Sequence, residues 1–400
     1  MSKTLVRTLL LLTLIHALVD AFAAMVQPLW PDLQTSLAIN DVTMQGLFVL
    51  WNLANSVSQL AFGYWGDRVR GRWMVWSGTA LAVVGMSSLG LARSVPALGG
   101  LLVLSGLGVA AFHPEAAALA GATAPRDRAR AMSLFSVGGY VGIAFGSYYS
   151  GWLTTRHGLP ALVWSIPGGL ALLAVLFVSM RHNRPPAAHP ASPATLRPPP
   201  VPLATLLHDR GRTVGLVLLI GILRTLPMTG VPLAMAYLIK ARGGSNDQIG
   251  LIQSIFTIGV GAGSLGCAVL LREVHERRAL WSLPVLASPL LLACPFLRPA
   301  GLAGCVLGLG LFLGAAIPIL TSYGQLLLHD AQRVASALTM GVTWGLGGVF
   351  VAALMAALNH IGRPDLAFPV FAAASFASGA LCVGLPHAES EVATAHASPG

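Results

Sequence analysis

The chain has 400 residues, of which 55% are hydrophobic and only 10% are charged, and its formal net charge is +10. Soluble domains carry about 25% charged residues, so this composition excludes an ordinary water-exposed globule. The mean hydropathy of +0.73 indicates that lipid is the solvent for most of the chain. In a soluble protein such a positive charge would suggest nucleic acid, but basic cytoplasmic loops explain it better here. We therefore expect no nucleic-acid partner.

The apolar segments, taken in chain order, predict twelve membrane spans, since each span needs about 20 mainly apolar residues. The amino terminus resembles a signal peptide, because Lys3 and Arg7 precede an apolar run. That run continues to Leu29, so we interpret it as the first span. The predicted spans are 5–30, 42–65, 73–92, 96–120, 131–153, 161–180, 213–239, 248–271, 279–297, 301–324, 335–358 and 367–385.

The basic residues between these spans predict the orientation. With both termini placed in the cytoplasm, 17 Lys and Arg residues lie on the cytoplasmic side and 6 on the external side. This bias agrees with the positive-inside rule and with an even number of spans. We therefore predict a multi-pass protein of the bacterial inner membrane with both termini cytoplasmic.

The longest break between spans is the basic, proline-rich segment 181–212, which has the composition of an extended cytoplasmic linker. It separates a predicted six-helix bundle at 1–180 from a second at 213–386, and a polar tail follows at 387–400. The bundles also repeat at an offset of 203 residues, as shown by three pairs: Gly63 with Gly266, Arg130 with Arg333, and Gly142 with Gly345. A parallel repeat of six helices predicts an all-α membrane protein, with twelve transmembrane helices in two bundles related by a pseudo-twofold axis.

The segment GYWGDRVRGR, between the second and third spans, resembles the loop signature GxxxDRxGRR of major facilitator transporters, with one extra residue. Its glycines permit a tight turn, and its aspartate can accept from a helix amino terminus or pair with an arginine. An incidental aspartate in a basic loop is the alternative. We predict a gating loop formed by Gly63, Asp67, Arg68, Gly71 and Arg72.

Three charged residues remain inside predicted spans: Asp20, Glu115 and Arg224. Ionisable groups in a bilayer are expensive and are functional candidates by default. We predict that Asp20 and Glu115 couple transport to protons and that Arg224 binds substrate. The repeat places Arg224 opposite Ala21, beside Asp20, so we expect an ion pair between Asp20 and Arg224. A purely structural pair is the alternative.

Polar neighbours of these charges complete the predicted substrate site. His16 lies one helical turn before Asp20, and His113 precedes Pro114 and Glu115, where the proline should kink or break the helix. Asn52 begins a polar stripe with Asn55 and Gln59, for which hydrogen bonding between helices is the simpler interpretation. We assign His16, His113 and Asn52 to substrate binding, although packing is an alternative role for His16.

These segments together resemble the fosmidomycin resistance protein family, a branch of the major facilitator superfamily. The resemblance implies twelve helices in two bundles, a cavity between them and proton-driven drug export. The sequence departs from the exporter pattern where Gly146-Ser147 replaces the usual Gly-Pro. The resemblance is carried by LIHALVD at 14–20, GYWGD at 63–67, GVAAFHPE at 108–115, FSVGGYVG at 135–142 and a glycine-rich eleventh span.

The leading hypothesis is a proton-coupled antiporter that exports small drugs or metabolites. An arginine at the site would favour anionic substrates of the phosphonate kind. A proton symporter or a facilitator for uptake is the alternative, because the direction depends on the order of coupling. An enzyme is disfavoured, since the sequence has no P-loop, HExxH or GxSxG motif. The four cysteines show no metal-ligand spacing, and we predict neither a cofactor nor a metal. We expect a monomer in the lipid bilayer.

Overall fold

The computed structural model describes residues 3–66, 72–123, 128–182, 203–270, 276–327 and 342–385. The regular structure of these residues is entirely helical, which confirms the predicted all-α class. The helices are α1 (Lys3–Ala24), α2 (Trp30–Ser36), α3 (Asp41–Ser56), α4 (Ser58–Gly66), α5 (Trp73–Ser87), α6 (Val95–Ala122), α7 (Arg128–His157), α8 (Ser165–His182), α9 (Leu203–Ala241), α10 (Asn246–Leu270), α11 (Glu276–Ala293), α12 (Pro299–Leu327), α13 (Thr343–His360) and α14 (Ala367–Leu381).

Ten helical segments in the described ranges are long and apolar enough to cross a membrane, against twelve predicted spans. The two predicted spans outside this set, 42–65 and 131–153, are nevertheless helical. The first is divided between α3 and α4, and it carries an Asn and Gln stripe. The second is α7, which is rich in glycine, serine and tyrosine.

Side-chain caps fix where some of these helices begin. Asn40 accepts from the backbone N–H of Thr43 at 2.8 Å at the start of α3. Ser94 accepts from the N–H of Ala97 at 3.3 Å at the start of α6. Such caps satisfy backbone donors that have no partner within the helix. α6 then continues through Pro114 as one helix, and the predicted kink or loss of a ladder hydrogen bond at this proline stays a prediction.

Two compact units divide the chain. One comprises Met1–Pro193, Pro232–Ile258 and Ala352–Pro364, and the other comprises Ala194–Val231, Gly259–Val351 and Asp365–Gly400. Two short stretches of the second half thus belong to the first unit. The predicted bundle boundaries stay a prediction.

In the first unit, α1 packs along α7 at very short range. The glycine ladder of α7 makes this possible, because a Cβ at any of its positions would collide with a backbone carbonyl of α1. Close approach of helices through small residues is the usual basis of packing in membranes. The facing residues are Gly138 with Thr13, Gly142 with Ala17, and Gly146 with Ala21.

In the second unit, α11 packs against α12 and α14. The buried core between these helices and α9 is formed by Val217, Ile220, Ala279, Leu280, Ile319, Leu320, Cys382 and Leu385. This apolar cluster surrounds one end of the predicted substrate arginine, Arg224, which is itself buried.

Candidate functional site

Asp20 lies on α1 in ion-pair contact with His16, one turn earlier, at 3.2 Å between Asp20 Oδ2 and His16 Nε2. The other ring nitrogen of His16, Nδ1, is 2.7 Å from the carbonyl oxygen of Phe135 on α7. The Phe135 ring stacks on the imidazole at 4.1 Å between centroids. His16 is therefore held by its own helix and by α7.

A second histidine reaches Asp20 from α6. His113 Nε2 is 3.3 Å from Asp20 Oδ1, and His113 Nδ1 is 2.9 Å from the carbonyl oxygen of Val109, one turn earlier on α6. The two imidazoles meet edge to face at 5.2 Å between centroids. His16, Asp20 and His113 thus form one contiguous set, called here the His–Asp–His cluster.

The His–Asp–His cluster is buried unequally. The side chains of His16 and Asp20 are 9% and 11% exposed, whereas that of His113 is 25% exposed. The cluster also fits tightly against α7 at Gly139. A Cβ at that position would lie 2.7 Å from Asp20 Oδ2 and 2.8 Å from His16 Nε2, so glycine is needed there for the cluster to form.

The three side chains offer ligand atoms that all lie within 4.8 Å of one another. Two imidazoles and a carboxylate are also a familiar metal-binding composition, so a metal ion and shared protons would compete for the same space. Sequence spacing did not indicate this set, because His113 comes from a different helix, 93 residues further along the chain than Asp20.

The remaining candidates of the first unit lie apart from this contact set. Glu115 follows His113 by two residues on α6 and is half-buried. Asn52 on α3 donates to the carbonyl oxygen of Phe48 at 2.9 Å, and Gln59 donates to that of Asn55 at 3.0 Å. One amide donor of Asn52 and one of Gln59 are thus used within their own helix, and the expected hydrogen bonds between helices stay a prediction.

Arg224 on α9 is only 8% exposed. Its guanidinium donates to the carbonyl oxygens of Leu280 and Ala316, the latter at 3.3 Å, and its Nη2 lies 3.3 Å from Cys382 Sγ. Its Nε is buried without a hydrogen-bond partner. Within the described residues of the second unit, Arg224 has no carboxylate partner. The predicted pairing with Asp20 stays a prediction.

A pocket of the second unit opens beside Arg224, between α9, α11, α12 and α13. Apart from Arg224 and Thr225, its lining is mostly apolar and includes Met228, Pro284, Leu313 and Trp344. A buried charge needs a counter-charge or a full set of hydrogen bonds. Three of the five guanidinium N–H donors are used in the contacts above, which leaves the buried Nε donor and one Nη1 donor beside an apolar pocket.

The gating loop is described only at its edges. Gly63 lies on α4, where an added Cβ would be 3.7 Å from Pro114, and Arg72 immediately precedes α5. The predicted gate residues Asp67, Arg68 and Gly71 lie outside the described residues.

A polar network in the first unit was missed by the sequence analysis. Asp32, just after the end of the first predicted span, accepts from Lys240 at 2.6 Å and from Asn246 at 2.7 Å. Asn246 also donates to Thr154 at 3.1 Å. All four residues lie at helix ends that are predicted to be external. In the sequence, this network was indicated by no more than Asp32 and Lys240, each at the external end of a predicted span.

A second chain of hydrogen bonds joins other residues of the same two helices, α2 and α9, and of α3. Tyr237 donates to Gln34 at 2.8 Å, and Gln34 donates to Asp41 at 2.8 Å. Gln45 donates to Tyr237 at 3.3 Å. We call Asp32, Gln34, Asp41, Tyr237, Lys240 and Asn246 together the end network. It joins segments from both halves of the chain within the first unit.

The fold and the buried charges together agree with a known family. The family model of the Major Facilitator Superfamily matches residues 12–348. The chain therefore belongs to the Major Facilitator Superfamily, and it is a multi-pass membrane transporter rather than an enzyme. Such a protein is expected to bind a small-molecule substrate within the lipid bilayer.

Two relatives are similar in sequence to most of the chain. The chain is 23% identical over 360 residues to the fosmidomycin resistance protein of Escherichia coli (strain K12), covering 87% of this chain and 86% of the relative. It is 22% identical over 366 residues to the uncharacterized MFS-type transporter YfnC of Bacillus subtilis (strain 168), with 90% and 88% covered. The similarity that the sequence motifs predicted is thus confirmed.

Solved transporters share the fold. A variant of the nucleoside transporter NupG superposes with a TM-score of 0.71 at 13% identity, covering 94% of this chain and 99% of that one. A bacterial homologue of the human lysosomal transporter Spinster, in an inward-facing and unoccupied conformation, superposes with a TM-score of 0.64 at 17% identity, with 96% and 95% covered. At these identities the likeness concerns the fold alone.

Proposed function

We propose that this chain is a proton-coupled antiporter that exports small anionic compounds, of the phosphonate kind, across the bacterial inner membrane. In this proposal the chain has twelve transmembrane helices in two bundles, which are related as parallel repeats, and both termini lie in the cytoplasm. The observation that carries the proposal is the His–Asp–His cluster, which buries a carboxylate between two imidazoles inside a membrane-spanning segment.

Proton coupling follows from the chemistry of that cluster. A buried carboxylate is costly in a membrane unless it is neutralised, and imidazole exchanges protons near neutral pH. The cluster therefore gains and loses protons as alternating access exposes it to one side of the membrane and then the other. Asp20 is the primary coupling acid in this account. Glu115 is secondary, because it lies outside the described contact set of Asp20.

Anion selectivity follows from Arg224. Its unused donors on Nε and Nη1 and its apolar surroundings would favour an oxyanion, since charge-assisted hydrogen bonds from guanidinium to phosphate-like groups are strong. Fosmidomycin is a phosphonate, and the relative named for resistance to it makes this compound the natural first probe.

Alternating access also requires parts that open and close. We assign the end network to the external gate, because its helix ends are those predicted to be external. The loop at 63–72 is the proposed cytoplasmic counterpart, with Asp67 stabilising one closed state. In this account each gate contributes to one conformer and neither binds substrate.

Transport into inverted membrane vesicles tests the proposal. Their lumen corresponds to the cell exterior, so an antiporter should accumulate labelled fosmidomycin when the lumen is acidic, and an uncoupler should abolish the accumulation. Vesicles without the protein provide the baseline. Glu115→Gln should retain most of the accumulation.

Two results would overturn the proposal. Accumulation driven by an alkaline lumen would identify a symporter that works in the uptake direction. Equilibration that is insensitive to the pH gradient would identify a facilitator. If fosmidomycin is not transported at all, the same vesicles can be tested with other phosphonates and with sugar phosphates, and failure of all these anions would reject the anionic substrate class.

A further inference from the structure

The hydrogen-bond geometry of the His–Asp–His cluster fixes where its protons lie. The Nδ1 atoms of His16 and His113 each face a backbone carbonyl oxygen, at 2.7 Å and 2.9 Å. A carbonyl oxygen only accepts hydrogen bonds. Both Nδ1 atoms must therefore carry a hydrogen, and neither ring can adopt the other neutral tautomer without losing its anchor.

The opposite nitrogens then create a conflict at Asp20. If both rings are neutral, each Nε2 is bare and presents a lone pair to a carboxylate oxygen, at 3.2 Å and 3.3 Å. An ionised carboxylate also only accepts hydrogen bonds. Two acceptors would then face each other in each of the two spaces between an Nε2 atom and Asp20, called here the His16 gap and the His113 gap. A proton on each Nε2 removes the conflict, because each imidazolium then donates to a carboxylate oxygen of Asp20.

We propose that the cluster binds two protons at once, one in the His16 gap and one in the His113 gap, and that His113 exchanges them with water. With both gaps filled the cluster has a net charge of +1; with one filled it is neutral; with none filled it has a net charge of −1. The described geometry, with both gaps short, corresponds to the doubly protonated cluster.

The two gaps are not equivalent. His16 is stacked on Phe135 and held by its carbonyl, and its side chain is 9% exposed. His113 is anchored only to its own helix and is 25% exposed. Loss of one proton therefore opens the His113 gap first, which removes this ion-pair contact between α6 and α1 while His16 stays bound to α7.

Other titratable groups do not occupy the gaps. Within the described residues, the ion-pair partners of Asp20 are His16 and His113. α7 faces the cluster with Phe135 and Gly139, and α5 carries no titratable side chain. Among the side chains that the structure describes, the remaining titratable ones on helices packed against α1 are Glu115 on α6, Tyr140, Tyr148, Tyr149, Arg156 and His157 on α7, and Arg181 on α8.

Nitrogen NMR of the purified protein, with ¹⁵N-labelled histidine and a metal chelator present, measures the proton positions directly. The chain has 11 histidines, and His16→Gln and His113→Gln assign the two signals. We expect both rings to become imidazolium at low pH and to lose their Nε2 protons in two steps on raising the pH. Nδ1 should stay protonated throughout. At a pH at which both rings of the parent are imidazolium, neither ring of Asp20→Asn should be. The control His157→Gln should change neither signal.

A dye-based proton count on unbuffered protein provides a second readout, in which His113→Gln should bind one proton fewer than the parent over the same pH range. The inference is contradicted if only one ring takes up a proton, if either Nδ1 is bare at any pH, or if His113→Gln and the parent bind equal numbers of protons. It rests on the proposal that Asp20 is the coupling acid. The experiment uses unliganded protein, so its failure leaves the vesicle result intact, and absence of antiport leaves the proton count intact.

Discussion

The two halves of the chain bury opposite charges in different ways. In the first unit, Asp20 is enclosed by two side chains that can each take up a proton. In the second unit, Arg224 is surrounded by carbonyl oxygens, a thiol and apolar side chains. The first arrangement can neutralise its charge by exchanging protons. The second cannot, because guanidinium does not lose its proton in proteins.

This difference suggests a division of work between the units. A site that changes its own charge is suited to coupling, whereas a permanent buried cation is suited to holding an anion. The comparison predicts that damage at Asp20 leaves anion binding and exchange intact, whereas damage at Arg224 abolishes transport but leaves proton binding by the His–Asp–His cluster intact. The following predictions either break this division or sharpen it.

The largest effect is expected at Arg224. In Arg224→Gln the cationic donor is lost, and hydrogen bonds to charged groups contribute about 1.5–3 kcal/mol, so fosmidomycin should bind about 10- to 150-fold more weakly. Equilibrium binding to purified protein measures this. Arg224→Lys keeps the charge and should lose less. Unchanged affinity in Arg224→Gln would show that the anion binds elsewhere.

A smaller effect is expected at Gly139, which positions the His–Asp–His cluster without titrating. The added methyl group of Gly139→Ala would overlap Asp20 and His16, and overpacking costs about 1–3 kcal/mol. We expect roughly tenfold slower proton-driven transport, with fosmidomycin affinity retained. Gly46→Ala is the matched control, since a Cβ there meets nothing within 4 Å. Equal rates in both variants would mean that the cluster tolerates displacement.

The smallest effect is expected in the end network. Lys240 and Asp32 are 37% and 25% exposed, and exposed ion pairs contribute about 0.2–1 kcal/mol. Asp32→Asn should therefore shift the balance of conformers less than about fivefold. Accessibility of a cysteine placed at position 36 to an external reagent would report the shift. The exchange Asp32→Lys with Lys240→Asp should restore the parent behaviour, and failure of the exchange would argue against a simple ion pair.

Much of this architecture was predictable because membrane spans are long apolar segments. The all-helical class and the burial of Asp20 and Arg224 followed from that signal, whereas the family followed from the resemblance of short motifs such as GYWGD at 63–67 and GVAAFHPE at 108–115. Ten apolar helical segments were found in the described ranges against twelve predicted spans. The second and fifth predicted spans are missing from the ten because polar side chains and glycine lower their mean hydropathy. α7 is helical through this composition because its small residues pack on α1.

The site was harder to predict than the fold. The spacing of His16 and Asp20 on one helix face was visible in the sequence, but the approach of His113 depends on how α6 packs against α1. The same limit applies to Asp32 and Asn246, which are 214 residues apart. Asn52 shows the opposite case, since one of its amide donors bonds within its own helix, to the carbonyl oxygen of Phe48.

The most direct test of the division of work measures two activities in the same inverted vesicles: fosmidomycin accumulation driven by an acidic lumen, and exchange of labelled for unlabelled fosmidomycin without a gradient. The account predicts that Asp20→Asn loses gradient-driven accumulation by about a hundredfold, the scale set by the cost of an intramembrane charge, while its exchange rate is retained. Arg224→Gln should lose both activities. Gradient-driven accumulation at the parent level in Asp20→Asn would contradict the account, and the coupling acid would then have to be sought at Glu115.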